Sequence, residues 1–275
     1  MVLIMAVVTF FIAGLAGCSS GPKQPPLPAL RIQAQSDEAE GVKKFSKGDY
    51  TAAMAYFAQA QRLQQSLDDP QATVRNQLHQ ARTELALDRN DAALDRAMKV
   101  PESDHNVEAL LVQFQANLAL GRTKDLPVLS EKLRSACAAN CPFTGSMFVL
   151  LARAALGGQQ YDKALEYASG ALQFLANKNE PRETANGWRI AASAHLALGR
   201  YTEALSAADQ ALALDRSQAL PEKIARDWLL IADIQRHQKS PRTRMSYERA
   251  LAVAQAANLT TITTIAEKAL KENSP

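Results

Sequence analysis

GRYTEALSAADQAL, residues 199–212, restates QQYDKALEYASGAL, residues 159–172, forty positions further along the chain. Tyr201 answers Tyr161, Ala204 answers Ala164, Leu205 answers Leu165, Ala208 answers Ala168 and Ala211 answers Ala171. The shared residues are mostly small and recur every three, four or seven positions, so they fall on one face of a helix. Small side chains on a helix face let a second helix approach closely. The phrase therefore reads as the packing seam of a helical hairpin.

The pattern extends in both directions. GDYTAAMAYFAQAQ, residues 48–61, carries Tyr50, Ala53, Phe57 and Ala60 at the matching places. Trp188 and Trp228 are another pair at the same offset, and Ala250 follows Ala211. MFVLLARAAL precedes the first phrase and GWRIAASAHLAL the second, each followed by a short break. Each unit is thus helix, tight turn, helix, with Gly48 and Gly199 where the chain reverses. Weaker copies lie between: NQLHQARTELALDRNDAALDRAM breaks at Asp88-Arg89-Asn90, and VEALLVQFQANLALGRTKDLPVLSEKLRSACA breaks at Gly121. Pro101, Pro181 and Pro221 fall near unit boundaries, where helices stop. About six hairpins run from about residue 33 to about residue 257, and TTITTIAEKALKEN closes the stack with a capping helix. Pro241 and Arg244 stand at the tyrosine and first-alanine places of the last unit, which is degenerate. Apolar residues recur at three and four, never at two, so the class is all-α.

The glycine–tyrosine turn and the spaced alanines resemble the tetratricopeptide repeat family. The carriers are Gly48, Tyr50, Ala53 and Ala60, then Tyr161, Ala164 and Ala171, then Gly199, Tyr201, Ala204 and Ala211, with Trp188 and Trp228 matching the aromatic early in the first helix. The period here is about 40 rather than the family's 34. The resemblance implies a right-handed solenoid whose first helices line a concave groove. Carried onto this chain, the groove positions are Arg153, Asn186, Arg189, Arg226, Asp233 and Arg236, with Leu156 and Leu229 as apolar area. Four arginines and one acid make that groove mildly basic. Arginine grips carboxylates with two parallel hydrogen bonds, so the expected ligand is an acidic peptide, extended or helical.

The first seventeen residues, MVLIMAVVTFFIAGLAG, hold no charged side chain. This reads as a secretory signal and is short for a membrane span. It ends in Leu15-Ala16-Gly17-Cys18, which resembles the lipobox of bacterial lipoproteins. That resemblance implies a covalent lipid on Cys18, residues 1–17 as signal peptide, and residues 18–32 as lipidated cysteine plus tether. Ser19, rather than Asp, implies an outer-membrane anchor facing the periplasm. Pro25, Pro26 and Pro28 make the tether extended, and the solenoid occupies 33–275. In an oxidising compartment Cys137 and Cys141 are expected to pair as a disulfide closing a small loop, worth about 2 kcal/mol. Two free thiols are the alternative inside a reducing one.

Chemistry is sparse. His79, His105, His195 and His237 are scattered, with no HExxH or second metal-ligand pair. There is no phosphate-binding loop. The single GxSxG string, Gly17-Cys18-Ser19-Ser20-Gly21, sits between a signal segment and a proline tether rather than between strand and helix, and is a chance match. No enzyme, metal or cofactor is expected, and no small-molecule substrate is evident. A formal charge of +3 without a basic tract argues against nucleic acid. The sequence reading is an outer-membrane scaffold that assembles or stabilises an envelope machine such as a pilus secretin. The alternatives are an adaptor of peptidoglycan-processing enzymes and a self-associating lipoprotein.

Overall fold

The computed structural model describes residues 28–101, 106–137 and 141–272. The signal segment, Cys18, the first nine residues of the tether after it and His105 lie outside the described residues. Within them every regular element is helical. The elements are α1 (Ala29–Ser46), α2 (Tyr50–Ser66), α3 (Pro70–Ala86), α4 (Asn90–Met98), α5 (Asn106–Ala119), α6 (Leu126–Ala136) and α7 (Thr144–Gly157), followed by α8 (Tyr161–Leu175), α9 (Pro181–Ala197), α10 (Tyr201–Ser217), α11 (Pro221–His237), α12 (Thr243–Ala256) and α13 (Thr260–Glu272). A 3-10 turn, Thr123–Asp125, leads into α6. Consecutive helices pack in pairs, giving six hairpins capped by α13. The first described helix, α1, starts at Ala29 with Pro28 as its N-cap.

The forty-residue period has a simple origin. Helices α9, α10 and α11 are each 17 residues long and start at 181, 201 and 221. A helix of that length plus a three-residue turn is half a repeat. Proline stands at the first position of α3, α9 and α11, where its missing N–H costs nothing. The turns share one geometry. Gly48, Asp68, Asp88, Gly121, Gln159, Gly199, Ala219, Lys239 and Asn258 all have positive φ, between 50° and 79°. At each, the next residue's N–H reaches back to a carbonyl of the final helical turn: Arg200 N donates to His195 O at 2.9 Å, and Leu220 N to Asp215 O at 3.1 Å. This is the left-handed C-terminal cap that satisfies the last carbonyls. Gly takes that conformation freely; Gln159, Ala219 and Lys239 pay about 1–2 kcal/mol for it. Changing these three to glycine, after offsetting the extra freedom of the unfolded chain, is expected to stabilise the fold by about 0.5–1 kcal/mol each. Thermal unfolding of the triple variant checks it, and a lower Tm would refute it.

The repeated alanines do close the hairpins. Ala53, Ala60, Ala164, Ala168, Ala171, Ala204, Ala208, Ala211, Ala250 and Ala254 are completely buried. At the first hairpin the approach is tighter still: a Cβ on Gly41 of α1 would sit 2.6 Å from the ring of Phe57 on α2. One continuous core runs through hairpins four to six, centred on Val149, Leu175, Ile190, Ile231 and Ile234. The last unit departs from the sequence reading. Despite Pro241 and Arg244, α12 is a full helix, and Tyr247 supplies the buried aromatic, its hydroxyl donating to Asp233 at 2.6 Å. Trp228 is buried between the guanidinium groups of Arg216 and Arg249, 5.1 and 4.8 Å from its ring centre.

The stack coils far enough to meet itself. Arg182 at the start of α9 donates to the carbonyl of Ser46 at the end of α1, at 3.1 Å. Cys137 and Cys141 form a disulfide, Cα–Cα 5.2 Å, between α6 and α7. No helix among the described residues is long and apolar enough to cross a membrane.

Candidate functional site

The inner helices of all six hairpins face a common chamber of about 570 Å³. Its apolar lining includes Phe45, Leu85, Leu111, Phe143 and Leu150; its polar lining comprises Arg82, Gln115, Arg153, Glu183, Asn186 and Lys223, with Ser146 and Glu180. A second cavity of about 730 Å³ opens beside it, between the α1–α2 turn and the starts of α9 and α11. The two share Phe45, Glu183, Asn186 and Lys223. The coiling that brings Ser46 to Arg182 therefore turns a groove into a walled chamber.

The cations here are unequally satisfied. Arg82 is paired with Glu108 at 3.0 Å. Among the described residues Arg153 of α7 and Lys223 of α11 close no ion pair, and burial pushes both below their usual pKa. Arg153 feels Glu183 only at longer range, and Lys223 is further depressed by Arg189. Burial also raises the pKa of Glu183, opposed by a hydrogen bond from Asn186.

Behind the wall lies a buried ionic knot. Arg189 of α9 donates through Nε to Asp227 of α11 at 2.6 Å, through Nη2 to Asp215 of α10, and through Nη1 to Asn186 at 2.9 Å. Side-chain exposure is 17% for Arg189, 2% for Asp215 and 0% for Asp227. Burial pushes Asp215 up to about 7; the pull of Arg189 is insufficient to offset it, and neighbouring Asp227 pushes the same way.

The six residues expected in the groove therefore separate. Arg153 and Asn186 line the chamber. Arg189 does not present its guanidinium to a ligand, because two buried carboxylates hold it inside the α9–α10–α11 seam. Arg226 is exposed and paired with Glu222 of its own helix at 2.9 Å. Asp233 and Arg236 face each other at 3.6 Å and lie outside the chamber lining. Leu156 and Leu229 pack against the core rather than offering groove area. Reasoning from sequence missed Lys223, Glu183, Arg82 and Gln115. The forty-residue period carried the signal: it superposes Lys223 on Glu183, one helical turn before the pair Asn186 and Arg226 that drew attention.

Two of the three described histidines stack on aromatic rings. His79 stacks on Phe57 with ring centres 4.7 Å apart, and His237 stacks on Tyr201 at 5.8 Å. Buried Nδ1 of His195 has no hydrogen-bond partner among the described residues, and burial lowers its pKa. Among the described residues no group of three or more His, Cys, Asp or Glu is placed to hold a metal ion.

No protein-family model matches the sequence, and no curated protein does. Solved structures do resemble it. The crystal structure of the APC/C hetero-tetramer Cut9-Hcn1 superposes with TM-score 0.70 at 18% identity, covering 87% of this chain and 42% of that one. The apo form of RapI gives 0.63 at 13% identity, over 86% and 69%. BtubC from P. vanneervenii gives 0.51 at 15%, over 84% and 93%. The chain thus spans less than half the length of the Cut9-Hcn1 chain it matches. At these identities the likeness concerns architecture alone: six helical hairpins and a cap, stacked as a tetratricopeptide-type solenoid.

Proposed function

We propose that the protein is a protein-binding scaffold that holds an anionic segment of its partner in the chamber. The observation that supports it is the pair Arg153 and Lys223: two half-buried cations on α7 and α11, the inner helices on either side of α9, facing one cavity, with no carboxylate among the described residues closing either. Burying charge without a partner is costly, and a ligand carboxylate relieves that cost. Apolar lining from Phe45, Leu111 and Leu150 supplies contact area beside the charged end.

The setting we propose for it is the bacterial envelope, with Cys18 lipidated and the solenoid held at the inner face of the outer membrane by its proline tether. Acyl chains confine the scaffold to a surface and raise the effective concentration of a weakly bound partner. The partner is then a component of an envelope assembly. Metabolic labelling with a palmitate analogue tests the anchor: wild type incorporates it and Cys18→Ser does not. Labelling independent of Cys18 would remove the anchor while leaving the chamber reading intact.

The chamber is tested with acetylated tetraglutamate as probe. Arg153→Ala and Lys223→Ala are each expected to weaken binding about tenfold, and the double variant to abolish it, since charged hydrogen bonds contribute about 1.5–3 kcal/mol each. Arg226→Ala, whose guanidinium is exposed and paired on its own helix, is expected to bind like wild type. Equal binding by the double variant would sink the proposal.

A further inference from the structure

Charge balance in the chamber wall restricts how an anion can enter. Three cations converge there: Arg153 on α7, Arg189 on α9 and Lys223 on α11. Three carboxylates face them: Glu183 on α9, Asp215 on α10 and Asp227 on α11. With every group ionised the cluster is neutral. Two of the carboxylates, Asp215 and Asp227, are almost fully enclosed and share a single guanidinium, that of Arg189. Asp215 also borders the cavity that adjoins the chamber, alongside Lys223, Glu183 and Asn186. An anion placed against Arg153 and Lys223 adds a fourth negative charge to this low-dielectric cluster, next to a pair already short of one cation. Repulsion is relieved when one carboxylate takes a proton.

We infer that the chamber captures its anion together with one proton from solvent, and that the proton settles on the Asp215 carboxylate within the Asp215–Arg189–Asp227 knot. This rests on the anion-binding reading of Arg153 and Lys223 given above. Asp215 is the acceptor because it lies between the knot and the cavity, whereas Asp227 receives both Nε and Nη2 of Arg189. The other charged groups around it are few. From α9 these are Glu180, Arg182, Glu183 and Arg189; from α11 they are Glu222, Lys223, Arg226 and Asp227; Arg216 is its neighbour on α10, and Lys47 of the α1–α2 turn borders the same cavity. Glu222 and Arg226 neutralise each other at 2.9 Å, and Arg216 lies over the Trp228 ring. Burial already pushes the Asp215 carboxyl up to about 7, so the proton is available near neutrality.

The sign follows from linkage: a ligand that binds with proton uptake binds more tightly as pH falls, by at most tenfold per pH unit for one proton. Capture therefore strengthens on acidification and weakens in alkali, without any histidine taking part.

Calorimetric titration of acetylated tetraglutamate at constant ionic strength, at pH 6, 7 and 8, tests this. The probe's carboxylates stay ionised throughout that range. Wild type is expected to bind about tenfold more tightly at pH 6 than at pH 8. Repeating the titration in two buffers of different ionisation heat should register about half a proton taken up per peptide at pH 7, where Asp215 is already about half protonated, and close to one at pH 8. Asp215→Asn mimics the protonated acid: it should bind at pH 8 as wild type binds at pH 6, with the slope lost. Glu183→Gln should keep the slope. Equal wild-type affinity at all three pH values with no proton uptake overturns the coupling but leaves the chamber reading standing. A slope that persists in Asp215→Asn overturns the assignment to that residue. Absence of binding at every pH overturns the chamber reading itself, and the coupling with it. Should Asp215→Asn lose helicity, the two-buffer proton count on wild type still decides.

Discussion

Arg189→Met is expected to cost about 3–5 kcal/mol of folding stability, because it strands two enclosed carboxylates without a counter-ion. That is a large share of the ~5–15 kcal/mol a domain has in total. Asp215 and Asp227 belong to different helices, so the damage should appear as loosening of the α9–α10–α11 seam rather than as local fraying. Thermal unfolding and amide exchange across these three helices measure it. The companion variant is as informative. Adding Asp215→Asn and Asp227→Asn to Arg189→Met removes the charges and should recover most of the loss, since the penalty lies in uncompensated burial rather than in a missing attraction. A single variant as stable as wild type would mean the knot contributes nothing. A triple variant no better than the single one would place the cost in packing. It also follows that charge reversal at Arg189 cannot serve as a clean test of partner binding: a glutamate there would add a third carboxylate to the pair.

The second large effect is at the other end of the stack. Glu38 of α1 accepts from Arg75 Nε at 2.6 Å, from Arg75 Nη2 at 2.9 Å and from Asn76 Nδ2 at 3.0 Å, all on α3, with His79 at 3.8 Å. Burial works to raise the Glu38 pKa, but His79, Arg75 and Asn76 together hold it down to about 2 against an ordinary 4.5. Because the folded value is depressed, the stabilisation is fully present above about 4.5 and disappears as pH falls toward 2. The interval corresponds to about 3 kcal/mol. Glu38→Ala should forfeit about that amount at neutral pH, raise hydrogen exchange in α1 and α2, and flatten the acid limb of the stability curve. An unchanged acid limb would contradict the prediction. Asp215 acts in the opposite sense. Its folded pKa, raised to about 7 from 3.8, means that the native state releases its proton reluctantly, so stability falls as pH rises through that interval. The contributions of these two groups together peak on the acid side of neutrality.

The hairpin architecture was legible because its seam is written in alanine. Ala164, Ala204 and their kin must be small wherever the helices touch, and that demand repeats at every unit. The turns were only partly legible. Glycine marked three of them, but Asp68, Gln159, Ala219 and Lys239 adopt the same left-handed backbone at modest cost and look like ordinary surface residues in a sequence. The chamber was the least legible part. Which arginine reaches a ligand depends on what else reaches the arginine, and the partners of Arg189 come 26 and 38 residues later, on two other helices. Lys223 looked like one more helix-start lysine until the coil of the stack brought Phe45 and Ser46 opposite it.

That coil has a consequence for how the repeat number can change. In an open solenoid each unit touches only its neighbours, so units can be gained or lost at little expense. Here the turn after α1 rests against the start of α9 through the Arg182–Ser46 bond, across four intervening hairpin seams. Insertion or removal of one hairpin would rotate the first unit out of phase with the fifth, open the wall and expose the chamber along one side. The chain has given up the modularity of its kind: its length is locked to its circumference, as the number of staves is locked to a barrel.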